Sequence, residues 1–419
     1  MRAAGIALAA FAFVAGVSGA IVEVVRMPID DPAIRYSETP PLDPVSKLAI
    51  KIADGSAKLD FASDGTGYLS SLLANLGVSV DSQVLVFSKT SFQSPKISPR
   101  TPRAVFFNDT VSVGSVKGGE VYELAALDPK QGVIFYTLNA RKTELPKFER
   151  RISCLECHQC AANSSVPGFM VFSVFPGADG TPFSFDFTDH RTPLERSFGG
   201  WYVTGTHGRA RHLGNAVARN PDRPTDLEAR ATQNQTSLRD KFDASGYLSP
   251  VSDIVALMTL EHQSRMTNLM IRAGWDARLG RASGRQGEQA ALRLRNEIEE
   301  LLSYMLFAEE APLRDPVRGV STFTKTFAER GPRDAQGRSL RDFDLKTRMF
   351  RYRLSYMVYS EAFDQMPDEV RERALRRLFE VLTGRDTSAR FAPIEAEERR
   401  AIKEILLETK PGLPEYWRE

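Results

Sequence analysis

Only three cysteines occur in the 419 residues, all inside one seven-residue window, so no disulfide framework can staple the chain and its stability has to come from packing. Neither Gly-x-Ser-x-Gly nor a phosphate-cradling Gly-x-x-x-x-Gly-Lys is present, which leaves hydrolase and nucleotide-binding readings without a motif. The formal charge is only +2, too small to draw the chain generally to phosphate backbones or anionic membranes, and no nucleic-acid partner is expected. No fixed-period repeat is found, which argues against a solenoid or propeller. Histidine is scarce, with five in all. With 42% hydrophobic and 26% charged residues, what remains is an ordinary globular composition, long enough for two or three domains.

What the chain does hold is Cys154-Leu155-Glu156-Cys157-His158, a C-x-x-C-H, with Cys160 two residues beyond it. Two thiols at this spacing can add to the two vinyl groups of a haem, and the histidine that follows can then bind iron from below the porphyrin. In these residues the chain resembles the c-type cytochromes. The run Gly199-Gly200-Trp201-Tyr202-Val203-Thr204-Gly205-Thr206-His207-Gly208 is also similar to an uncharacterised family of large exported single-haem bacterial proteins. The resemblance implies one covalent haem c, joined at Cys154 and Cys157 with His158 on its iron. Zinc, an iron–sulfur cluster and a short disulfide stay open as alternatives. A structural zinc site usually needs a second ligand pair, the cluster spacings need a fourth ligand cysteine, and a disulfide closing so small a loop gains little.

Covalent haem attachment of this type implies export, and the N-terminus supplies the context. After Met1 and Arg2, the run Ala3 to Val22 carries no charge, and Ser18-Gly19-Ala20 puts small residues where a signal peptidase cuts. Residues 1–20 read as a signal peptide, or as an uncleaved anchor in the inner membrane, since about 20 apolar residues nearly span a bilayer. Either way the body is expected in the periplasm. Residues 21–45, rich in proline, read as a linker.

The expected fold class is α+β, with a small antiparallel β region before the motif and a mainly α-helical C-terminal half. Residues 46–150 form a mixed region with helices near Val45–Ile52 and Tyr68–Leu76. Strands are expected over Gln83–Phe87, Ala104–Phe107, Val111–Val116, Val121–Leu124 and Gly132–Leu138, with turns at Gly118-Gly119 and Asp128–Gly132. Residues 151–225 carry the haem-attachment segment and loops rich in Gly, Arg and His. Residues 226–419 form the helical part: a helix from Asp226 past Gln233, a strong amphipathic one from Pro250 to about Ala273, and others over Gly287–Ala308, Leu345–Phe363, Pro367–Leu382 and Pro393–Glu408.

Around a haem, guanidinium forks match the two propionates and an indole can hydrogen-bond a carboxylate, so Arg191, Arg209, Arg211 and Trp201 are candidate contacts. Phe106, Phe107, Phe135 and Tyr136 are either porphyrin neighbours or plain core. For the iron's other face His262, on the apolar stripe of its helix, leads over His207 and His212. Met170 is close in sequence and reads as packing, and an open face is the remaining case. The expected role is electron transfer with a redox protein partner. A peroxidase-like or other oxidising haem enzyme is the alternative, and a structural or sensory subunit the third.

Overall fold

The computed structural model describes residues 26–418 apart from 221, 228–231 and 285–287, so the expected signal segment lies outside the described residues. Among the described residues no helix is long and apolar enough to cross a membrane. Short runs of Val, Phe and Tyr ahead of the motif form β1 (Val84–Val86), β2 (Arg103–Phe107), β3 (Val111–Val116), β4 (Val121–Asp128), β5 (Gly132–Asn139) and β6 (Phe148–Arg150). Helices α1 (Pro44–Ala53) and α2 (Leu69–Asn75) precede them, and α3 (Leu155–His158) follows. Further on come β7 (Phe172–Pro176), β8 (Pro182–Phe187), β9 (Trp201–Tyr202), β10 (Ala218–Asn220) and β11 (Arg223–Leu227). The main sheet is antiparallel, in the order β6-β5-β4-β3-β2-β1-β9, while β7–β8 and β10–β11 are separate hairpins.

Both expected turns are there. Gly118, at φ +69°, lies between β3 and β4. Between β4 and β5 the Asp128 carboxylate accepts from the amides of Lys130 and Gln131 at 2.9 and 2.8 Å, and Gly132 takes φ +94°, where a side chain would be strained. That turn fixes the register of the whole hairpin, Val121 opposite Asn139 through Asp128 opposite Gly132. Opposed residues share a face, so Val105, Gly114, Glu123 and Thr137 line one side of the sheet, together with Arg103 and Phe135 by alternation.

The second half is helical: α4 (Ile254–Ala282), α5 (Glu288–Met305), α6 (Phe323–Glu329), α7 (Glu361–Asp364), α8 (Asp368–Leu382) and α9 (Ala396–Thr409). The protein is therefore α+β, as expected. One continuous hydrophobic core runs from Met27 to Trp417 and joins the sheet to the helices. Residues 26–43 form neither helix nor strand, yet Tyr36 is buried there and its hydroxyl donates to the Val133 carbonyl at 2.7 Å.

Three local expectations fail for tertiary reasons. The helix expected from Asp226 past Gln233 does not form over its described residues: Arg223–Leu227 is strand, and residues 233–235 spend their hydrogen bonds on the 205–212 loop. Leu345–Phe363 is not one helix either. The Arg351 amide bonds to the Asp342 carbonyl and the Ser355 amide to that of Met305, and only a short 3-10 turn and α7 are helical, although Phe350, Tyr352, Tyr356 and Phe363 are all buried. Helix α4 is not amphipathic where it matters, because Glu261, His262, Gln263 and Ser264 are buried in succession in a helix that packs on α5, α6, α7 and α8.

Asp253 starts α4 and is fully buried. One oxygen accepts from the amides of Val255 and Ala256, and the other from the amides of Val320 and Ser321 and the Ser321 hydroxyl, each of these three at 2.8 Å. Asp253→Ala removes a helix cap and strands several donors, and should cost about 3 kcal/mol, read as a lower urea midpoint at unchanged m-value.

Candidate functional site

The cysteine motif lies where the sheet hands over to the helices. Arg151, just past β6, is tied to β5, its amide bonded to the Phe135 carbonyl at 2.8 Å and its Nε to the Thr137 hydroxyl at 2.9 Å. The chain then turns into a short 3-10 segment and α3. One helical turn places Cys154 half-buried and Cys157 exposed, with Cys160 beyond, and none of the three is in a disulfide. Burial, with the Glu123 carboxylate second, pushes the Cys154 thiol up to about 11, and burial also raises Cys157. Both are thus protonated thiols at neutral pH.

His158 is oriented on two sides. Its Nδ1 lies 3.1 Å from the Gly168 carbonyl, so the proton sits on Nδ1 and the lone pair on Nε2. Its ring stacks obliquely on Phe135, centroids 4.6 Å apart. Burial holds its pKa below the usual histidine value, which keeps the imidazole in the neutral form that binds metals. Among the described residues Nε2 has no hydrogen-bond partner.

The carbonyl that orients the ring is itself built in. The Gly168 amide donates back to the His158 carbonyl at 3.1 Å, and the buried Asn163 amide donates to the same oxygen. On the other side, Asn268 of α4 bonds both the amide and the carbonyl of Phe169, at 3.0 and 2.8 Å. A Cβ on residue 168 would meet Asn268 Oδ1 at 2.2 Å, so only glycine lets the loop lie this close to α4.

Beside the histidine lies a charge pair that sequence reading passed over. Arg103 and Glu123, on the Phe135 face of the sheet, pair at 2.7 Å, and Glu123 also accepts from Ser91 at 2.5 Å and Gln93 at 2.7 Å. Both act on His158, with opposite sign. Both are half-buried strand positions that look like ordinary surface charges in sequence, and their pairing shows only once strand register is known.

The other expected site residues are spread more widely. Of the four aromatic candidates Phe135 alone stacks on His158. Phe106 and Phe107 are core, and the Tyr136 hydroxyl donates to Asp43 at 2.6 Å. The Trp201 indole donates to the Phe172 carbonyl at 2.7 Å, while Arg209 and Arg211 are exposed. Arg191 is held by Asp189 and Glu300 and lines a cavity with Ala161, Ala162 and Met170, just past the motif. Met170 Sδ lies 3.6 Å from Cys160 Sγ.

The histidines fall into two buried pairs. His207 uses Nδ1 on the Ala210 carbonyl at 2.8 Å and Nε2 as acceptor from the Asn234 amide at 3.0 Å, and His212 packs edge-on against it at 4.7 Å. His262 uses Nδ1 on His190 at 2.7 Å and Nε2 on the Ser355 hydroxyl at 2.8 Å. So placed, neither His207 nor His262 has a ring nitrogen left for a metal. Among the described residues no group of three or more His, Cys, Asp or Glu side chains is arranged to hold a metal ion, so the zinc alternative finds no donor set.

No family model, curated protein or solved structure matches this chain.

The buried polar layer of α4 makes stability depend on pH. Glu261 is fully buried with the Thr188 hydroxyl at 2.6 Å, and burial raises its pKa from 4.5 to about 8. Across that window the folded chain holds a proton the unfolded chain has lost, so this carboxyl lowers stability as pH rises from 4.5 to about 8. His262, lowered to about 3 by burial, acts on the acid side, where stability falls as pH drops below 6.5. Glu261→Gln should remove the alkaline loss. Its stability advantage over wild type should grow between pH 5 and 8 by about 1.4 kcal/mol per unit, in urea unfolding at stepped pH.

Proposed function

We propose that the chain is an exported monohaem c-type cytochrome that passes electrons to or from a redox protein partner. One observation carries the reading: two unpaired thiols a helical turn apart are followed at once by a neutral histidine with Nδ1 fixed to a carbonyl and Nε2 free. Histidines that ligate metals almost always have the other ring nitrogen held in this way. When bound, the haem supplies a one-electron iron couple. Cys154 and Cys157 would fix it covalently, His158 would offer Nε2 to the iron, and Phe135 would keep the imidazole from turning. Cys160, outside the C-x-x-C pair, takes no part.

A second reading, a haem enzyme with an open face, is favoured by one specific finding: two of the three histidines expected to close that face, His207 and His262, have both ring nitrogens engaged. The absorption spectrum separates the two. A low-spin iron indifferent to carbon monoxide and cyanide supports the carrier, and a high-spin iron that binds them supports the enzyme.

Protein matured in a haem-loading host should keep its pigment through acid–acetone extraction. Cys154→Ser and Cys157→Ser should each weaken that retention, while Cys160→Ser leaves it unchanged; colourless protein would end the proposal. Glu123→Gln takes a negative charge from beside His158 and disfavours the oxidised, more positive centre. The midpoint potential of the loaded protein should rise by about 59 mV, a roughly tenfold shift in the one-electron equilibrium.

A further inference from the structure

Between the segment that follows the cysteines and the buried part of α4 lies a cavity of about 270 Å³. It falls below the roughly 300 Å³ at which drug-sized sites begin, so it has room for a molecule of about one ring. Its lining combines two chemistries. Ala161, Ala162, Met170, Val171 and Phe187 are apolar, while Arg191 and Arg265 bring guanidinium groups to it.

The state of those guanidiniums indicates what the cavity takes. Arg191 has its Nε and one NH2 on the two oxygens of Asp189, at 3.1 and 2.7 Å, so that carboxylate is neutralised where it stands. Its remaining nitrogen meets Glu300 Oε1 at 3.0 Å, and Arg265 approaches the same oxygen at 3.6 Å. Arg265 also gives NH1 to the Ser164 hydroxyl at 3.0 Å, while its Nε is buried with no hydrogen-bond partner. Glu300 of α5 thus bridges the two guanidiniums, with Glu309 a further 3.8 Å from Arg191, yet the Arg265 Nε is still left unmet, an arrangement that costs stability until an acceptor reaches that donor.

We propose that this cavity is a binding site for a carboxylate carried on a small apolar body, which Arg265 and Arg191 hold in competition with Glu300. Two sources have that chemistry: a free monocarboxylic acid, or a propionate of the haem at Cys154 and Cys157. Only the second rests on the function proposed above.

Benzoate titrated into the intact, pigmented protein and followed by calorimetry tests the site. Saturable binding that weakens roughly tenfold or more in Arg265→Gln and tightens in Glu300→Gln assigns it to a free acid. The opposite signs of the two substitutions cannot come from general loosening of the fold. Suppose instead that the pigmented protein binds no benzoate, that Arg265→Gln alters its haem spectrum, and that the haem-free Cys154→Ser/Cys157→Ser chain gains benzoate binding. The haem propionate then fills the site. Absence of benzoate binding in both forms, with no spectral effect of Arg265→Gln, overturns the proposal. Protein that never takes up haem but binds benzoate with this dependence would keep the cavity assignment and refute only the cytochrome.

Discussion

The hydrogen bond from His158 Nδ1 to the Gly168 carbonyl is the contact on which the site depends. A neutral imidazole can carry its proton on either nitrogen, and its ring can turn about its bond to the chain. A fixed acceptor at Nδ1 decides both at once, so that Nε2 presents its lone pair in one direction. The acceptor stays fixed because the loop carrying it is tied at both ends, to the His158 carbonyl through Gly168 and Asn163 and to α4 through Asn268. Gly168 is what permits the approach, and Phe135, delivered by the register of β5, closes the remaining freedom of the ring.

The same helix α4 carries a layer of polar groups through the core, and each is made tolerable in its own way. Asp253 is surrounded by donors, Glu261 keeps its proton, and His262 shares a short contact with His190 while both are held neutral by burial. Two imidazolium charges at that separation would repel strongly, so the pair must pass at most one proton between its nitrogens. On the sheet rather than on α4, Arg103 and Glu123 pair at 2.7 Å while half-buried, and Ser91 and Gln93 donate to the same carboxylate. Lying near His158, the pair gives that imidazole a half-buried electrostatic setting.

Much of the organisation could be read from the residues alone. Strand alternation with the Gly118 and Asp128–Gly132 turns located the β3–β4–β5 meander, and the helical periods of α5, α8 and α9 stood within a few residues of their observed ends. The failures share a cause. Gln233, Asn234 and Gln235 look helical by propensity, but their hydrogen bonds go to the 205–212 loop, and local preference of a few tenths of a kcal/mol per residue cannot resist that. In Leu345–Phe363 the aromatic spacing suggested a helix face. Yet aromatic rings reach the core from irregular backbone equally well when neighbouring segments satisfy its amides.

By itself the sequence determined which groups are offered at residues 154–158, two thiols and an imidazole at C-x-x-C-H spacing, because residue identity and spacing do not depend on the fold around them. It also determined the α+β class, since hydrophobic period and turn residues are local properties. Tertiary structure alone decided which nitrogen of His158 is free, which of four aromatic residues touches it, and that His207 and His262 are committed elsewhere. It also brought Arg265, 111 positions after Cys154, to the same cavity as Ala161. Those outcomes depend on side chains meeting across the core, and the distance between two residues along the chain carries almost no information about whether they meet.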